Sequence, residues 1–225
     1  IGIPVVFRAE NNGKILWTVH QYEKGFLIIS GHEDKDIYPY RVAICDQQFK
    51  NWTIIIPNDQ ANTEVSLLEY PLDALLLYYL ATFNNGCLIH ASGVNNNSNG
   101  MIFSGVSGRG KSTMSRLWYE SGAHIVNDDR LLVREINGKY FMYNTPMMHY
   151  TQQPKQAELK GVFLIDHAQE NKAVKISGTQ PLMKVMANCI QHGYNKENVS
   201  RLIDFVSKMV DSVPVYHLGF LPDKS

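Results

Sequence analysis

One ten-residue stretch constrains the fold more than any other in this chain. "SGVSGRGKST", Ser104 to Thr113, carries Gly105, Gly110, Lys111 and Ser112 at the spacing of a phosphate-binding loop. Such a loop wraps backbone N–H groups around an anion where a helix begins, so it needs a strand before it and a helix after it. Both are legible. "MIFS" precedes the loop as a short strand, and Met114, Leu117 and Trp118 form an apolar stripe at helical spacing that Gly122 closes. Gly105, Gly108 and Gly110 permit backbone angles and close approaches that side chains forbid. Lys111 is expected to reach the outer phosphates and the Ser112 hydroxyl to bind magnesium. Ser107, Arg109 and Thr113 complete the expected nucleotide-binding set. The bland alternative is a Gly/Ser surface turn.

The rest of the chain divides by texture. From Ile1 to about Pro57, short apolar runs ("IPVVF", "KILWTV", "GFLIIS", "YRVAIC", "WTIIIP") alternate with turn-formers such as Asn11-Asn12-Gly13, which predicts an antiparallel β region. "EYPLDALLLYYLATF" then places Leu72, Leu75, Leu76, Tyr79 and Leu80 at helical spacing, with Asn84-Asn85-Gly86 as a stop. From Cys87 the pattern reads strand "CLIHASGV", turn, strand "MIFS", loop, helix and a further strand "AHIVND", an α/β core. The short helix is expected to return that further strand directly beside the strand preceding the loop. "GKYFMYN" pairs with "LLVREI" across Asn137-Gly138, "GVFLID" and "AVKIS" read as later strands, and "PLMKVMANCIQ" and "NVSRLIDFVSKMV" as helices. There is no internal repeat. The division is residues 1–70, β-rich, and residues 71–225, the α/β part.

A loop that holds phosphate says nothing about a reaction, and the next feature does. Asp128 and Asp129 in "HIVNDDR" end an apolar strand soon after the loop lysine, which puts two carboxylates near the phosphates. One is suited to magnesium and the other to accepting a proton from an attacking hydroxyl, the division that phosphoryl transfer requires. Which aspartate takes which part stays open, and in isolation an acidic pair reads as a solvated turn or a helix cap. His90, in "LIHASGV" one strand upstream, is either a structural histidine of an apolar strand or a neighbour of the same phosphates. His20, His32, His124, His149, His167, His192 and His217 share no metal spacing.

Composition narrows the partners. Lys plus Arg equals Asp plus Glu at 21 each in 225 residues, so no electrostatic case exists for a nucleic acid or an anionic membrane. No apolar run is long enough to cross a membrane, and "IGIPVVFRAENNGK" lacks the basic and apolar regions of a signal peptide. The absence of an initiator Met reads as a trimmed start. Cys45, Cys87 and Cys189, odd in number and far apart, fit a reduced cytoplasmic setting, and Cys87 and Cys189 read as core.

In order and spacing, "IHASGV", "GVSGRGKST" and "NDDRLLV" resemble the catalytic domain of bacterial HPr kinase/phosphorylase and its shorter relatives, a group similar in core to phosphoenolpyruvate carboxykinase. The resemblance covers Cys87 to Glu135. It implies a P-loop kinase core of that type preceded by the β-rich region, with ATP and Mg2+ as cofactors. It also implies His90 in the phosphate neighbourhood, Lys111 and Ser112 on nucleotide and metal, and Asp128 and Asp129 as metal ligand and general base, with Arg130 following them. The β-rich lead, "YPLD" and the tail "VPVYHLGFLPD" look like the short HPr-kinase-like proteins, some of which phosphorylate a peptide hydroxyl. The implied activity is phosphorylation of a Ser or Thr hydroxyl of a protein or peptide, with a homo-oligomer left open. Two other classes remain: a regulatory module that holds nucleotide without transfer, and a small-molecule or carboxykinase-like phosphotransferase.

Overall fold

The computed structural model describes residues 2–30, 40–56, 68, 70–146, 155–193 and 195–221. The chain separates into two compact units, Ile1–Leu80 and Ala81–Ser225. The first holds a five-stranded antiparallel meander of β1 (Val5–Asn11), β2 (Lys14–Tyr22), β3 (Gly25–Ser30), β4 (Arg41–Asp46) and β5 (Trp52–Ile55). Period-two burial is clearest in β4, where Arg41, Ala43 and Cys45 are buried and their neighbours only partly so. Val19, Ile28 and Ala43 are fully buried, and the Phe49 and Tyr79 rings stack at 3.7 Å between centroids. Helix α1 (Leu72–Phe83) follows, and Asn85 takes a φ of 50° as the chain turns out of it.

The second unit is mixed α/β. Its strands are β6 (Gly86–Asn96), β7 (Asn99–Ser104), β8 (His124–Asn127), β9 (Arg130–Ile136), β10 (Lys139–Asn144), β11 (Gln156–His167), β12 (Lys172–Lys175) and β13 (Val215–Phe220). They form an eight-stranded sheet in the order β10-β9-β6-β7-β11-β13-β12, with β8 attached to β6. The path also returns on itself, because the start of β11 pairs with β10 through Phe141↔Glu158 and Met142↔Ala157. The predicted β9–β10 hairpin forms with Lys139 opposite Ile136, turning at Asn137 and Gly138 with φ of 53° and 77°. Positive φ at both central residues is what a two-residue turn between right-twisted strands demands, and Asn-Gly supplies it at least cost. Helices α2 (Lys111–Glu120), α3 (Gln180–Met186) and α4 (Lys196–Ser212) complete the unit. α4 starts at Asn195, whose side chain accepts the Asn198 amide at 3.2 Å, and buries Leu202, Phe205, Val206 and Met209.

Two expectations need correction. The strand that follows α2 does not lie beside the strand preceding the loop. β8 pairs with β6 (Gly93↔Asn127), and the neighbours of β7 are β6 and β11. β6 is eleven residues long and offers one edge to β9 over Gly86–His90 and then to β8 beyond Gly93, so β8 takes the edge that β9 continues. The helix expected over "PLMKVMANCIQ" stops at Met186, because Cys189 bridges Ile89 and the Ile190 amide donates to Leu88 O at 2.8 Å. Among the described residues, no helix is long and apolar enough to cross a membrane.

Candidate functional site

β7 and α2 are joined by the glycine-rich loop, and the geometry there follows from its glycines. Gly110 sits at the N-cap of α2 with φ of 95°, a left-handed backbone that side chains resist, and a Cβ on it would lie 2.9 Å from the Phe220 ring. Gly110 has no side chain to cap the helix, and among the described residues none does so, so its first amides are open to an outside acceptor. Lys111 is buried at the head of α2, and its Nζ donates to the Gly105 carbonyl at 2.9 Å. Burial holds its ammonium below the usual lysine range, and the nearby Asp129 carboxylate opposes that shift. Ser112 is exposed.

The acidic pair lies in a bend between β8 and β9. Gly93↔Asn127 and His90↔Arg130 are three residues apart on both strands, so Asp128 and Asp129 fall opposite Ser92 and Ala91 with nothing inserted. The Ala91 amide donates to Asp129 O at 3.0 Å, and the Ser92 hydroxyl to Asp128 O at 3.4 Å. What bends the chain is the buried Asn127 side chain. Its Nδ2 donates to Arg130 O at 2.8 Å and to Thr145 Oγ1 at 3.1 Å, while its Oδ1 accepts the Asp128 amide at 2.8 Å. Thr145 Oγ1 also donates to Arg130 O at 3.0 Å. A straight strand would send adjacent side chains to opposite faces; this bend lets both carboxylates approach one place.

His90 occupies β6 across from Arg130. Its amide donates to Asn188 O at 2.9 Å, and its carbonyl accepts the Ser104 hydroxyl at 2.9 Å, so its backbone is held from two sides. The ring Nδ1 lies 3.5 Å from Asp129 Oδ1, and Arg130 Nε donates to Asp129 Oδ2 at 3.0 Å. Burial, with Lys111 and Arg130 adding positive charge, lowers the His90 pKa below the ordinary imidazole value, and Asp129 counteracts this only in part. His90 is therefore neutral at neutral pH. The Asp128 carboxylate, by contrast, is exposed and makes no hydrogen bond or ion pair among the described residues.

His90, Ser107, Gly108, Gly110, Lys111, Ser112, Thr113, Asp128 and Asp129 line a single cavity of about 370 Å³. Gly105 and Arg109, also singled out in the sequence, are not in that lining. Gly105 contributes its carbonyl to Lys111, and Arg109 points to Asp166 at 2.7 Å. Sequence reasoning passed over Asp166 and saw in His167 only a histidine without metal spacing; the signal is faint, since "GVFLID" is an apolar strand ending in an acid, and β11 proves parallel to β7. Among the described residues, no group of three or more His, Cys, Asp or Glu side chains is arranged to hold a metal. Magnesium here would have to share Ser112, a carboxylate and ligand oxygens, which is its ordinary habit at phosphates.

No protein-family model matches the chain, and no curated protein matches it. Among solved structures, it is similar to the Hpr(Ser) kinase/phosphatase from Coxiella burnetii, with a TM-score of 0.35 and 12% identity over 59% of this chain and 84% of that one.

Proposed function

We propose that this protein is a magnesium-dependent kinase that transfers the terminal phosphoryl group of ATP to a Ser or Thr hydroxyl of a protein or peptide. One observation carries the reading. Residues from three separate places in the chain, His90 on β6, the loop and first turn of α2, and the Asp128-Asp129 bend, meet around one cavity. A turn that merely needed small residues would not require a buried lysine, an uncapped helix start and two converging carboxylates. The Ser/Thr acceptor rests on the resemblance of "IHASGV", "GVSGRGKST" and "NDDRLLV" to the HPr kinase group.

The bound nucleotide would supply an activated phosphoryl group. The loop amides and Lys111 would hold its outer phosphates, with Ser112 and Asp129 on the magnesium. Asp129 suits that part because Arg130 and His90 fix its orientation. Asp128, with its carboxylate unengaged, is the base. It takes the proton as the hydroxyl oxygen bonds to phosphorus and the bond to the leaving diphosphate breaks. His90 would donate a hydrogen bond to a phosphate oxygen.

Separate Asp128→Asn and Asp129→Asn variants test this by calorimetry with Mg-ATP and by phosphate transfer to Ser- and Thr-containing peptides. Asp128→Asn should keep nucleotide affinity and lose transfer by about a hundredfold or more, whereas Asp129→Asn should lose both. Binding without transfer by the wild type, across acceptors, would make the protein a nucleotide-holding module. Transfer unaffected by either change would make the pair structural and the mechanism wrong.

A further inference from the structure

Three consecutive residues at the end of β11 touch the glycine-rich loop. β11 runs parallel to β7 with Leu164 opposite Ser104, and where β7 gives way to the loop β11 continues beside it, still paired with β13. The Ile165 carbonyl packs so near Gly105 that a Cβ there would lie 2.8 Å from it. His167 Nε2 donates to Gly108 O at 3.2 Å. Between them, Asp166 Oδ1 holds Arg109 Nη1 at 2.7 Å. The outer two contacts brace backbone; the middle one sets charge against charge.

Arg109 and Lys111 are the two cations of the loop. Lys111 is buried and tied to a carbonyl, whereas the side chains of Arg109 and Asp166 are 44% and 46% exposed, so the guanidinium is free to turn. Exposed ion pairs are weak, and a guanidinium bonds phosphate oxygens through paired, charge-assisted donors. Phosphate seated on the loop amides is therefore a competitor for Arg109 that the carboxylate has to resist.

We propose that Asp166 sets the phosphate affinity of the loop by holding Arg109, which passes from the carboxylate to a phosphate oxygen when a polyphosphate binds. The inference rests on the nucleotide reading above and adds a residue outside the cavity lining. No covalent bond changes; one ion pair replaces another. Asp166 acts through Arg109 and is a positioning residue.

The test is a double-mutant cycle on the full chain, with Mg-ATP and inorganic tripolyphosphate as separate calorimetric ligands at low ionic strength. Asp166→Asn should bind both ligands about 3- to 10-fold more tightly than the wild type, and Arg109→Ala about tenfold more weakly. Asp166→Glu, which keeps the charge, should stay within about twofold of the wild type. With Arg109→Ala present, Asp166→Asn should change nothing, because the group it frees is gone. Unchanged or weaker binding by Asp166→Asn overturns the inference and makes Asp166 a brace. Tighter binding that survives in the double variant also overturns it, since the carboxylate would then repel phosphate directly. Failure of the wild type to bind either ligand overturns both this inference and the nucleotide reading, whereas wild-type binding with the wrong cycle overturns the inference alone.

Discussion

Lys111 and Asn127 show two ways a buried polar side chain can be justified. Among the described residues, the hydrogen bond that Lys111 Nζ donates goes to the Gly105 carbonyl, an acceptor without charge, so an anionic ligand would give it a far better partner. Lys111→Ala should accordingly weaken Mg-ATP binding by about 10- to 100-fold, measured by calorimetry, because one charge-assisted bond to a phosphate oxygen is lost. Asn127 is satisfied from within. Its side chain uses both ends on Arg130, Thr145 and Asp128, and this is what turns the two aspartates to one side. Asn127→Ala should cost about 1–3 kcal/mol in urea unfolding. It should also lower phosphate transfer more than nucleotide affinity, since Lys111 and the loop are untouched. The place of Lys111 at the head of α2 was legible from spacing. The role of Asn127 was visible only as compatible with a turn, because its partner Thr145 is eighteen residues away and nothing local announces it.

At the level of elements, what the sequence discloses are features set by near neighbours. The β6 strand, the loop, α2 and the Asn137-Gly138 hairpin each carry their own periodicity or turn chemistry, and each forms where that chemistry predicts. What stays hidden is pairing across distance. β13 lies parallel to β11 with Val162 opposite Val215, more than fifty residues on, and its Phe220 supports the α2 cap; in "VPVYHLGF" nothing identifies the partner. Cys87 and Cys189 look unrelated in sequence, yet both are buried where the segment after α3 meets β6, and the Cys189 thiol together with burial pushes the Cys87 thiol well up. The acidic bend adds a constraint of its own. β8 pairs with β6 as Val94↔Ile125, one residue out of step with Gly93↔Asn127 and with the whole of β9, so a bulge at Val126 separates the register of β8 from that of the bend. Asp128→Asn and Asp129→Asn leave that register alone and should melt close to the wild type.

At the scale of the molecule, stability should depend on acid through His192 more than through any site residue. Burial pushes the His192 imidazole down to about 4, so it is neutral in the folded chain while an unfolded chain takes up its proton near pH 6.5. The unfolded state then binds more protons over that interval, and the contribution present above pH 6.5 is lost as pH falls toward 4. Urea unfolding at pH 7 and pH 4.5 should differ by about 2–3 kcal/mol from this group, and His192→Gln should remove that part of the difference. The returning path of the larger sheet has a different consequence. β10 spends backbone groups on β9 at one side and on the start of β11 at the other, which leaves fewer open hydrogen-bonding rims. On the far side of the sheet the last strand, β12, is four exposed residues with Lys172 and Lys175 at its two ends. Short length and lysine are what discourage another chain from adding a strand there. Replacing both lysines by valine should leave the fold in place and raise light scattering on incubation, with the self-association starting at that rim.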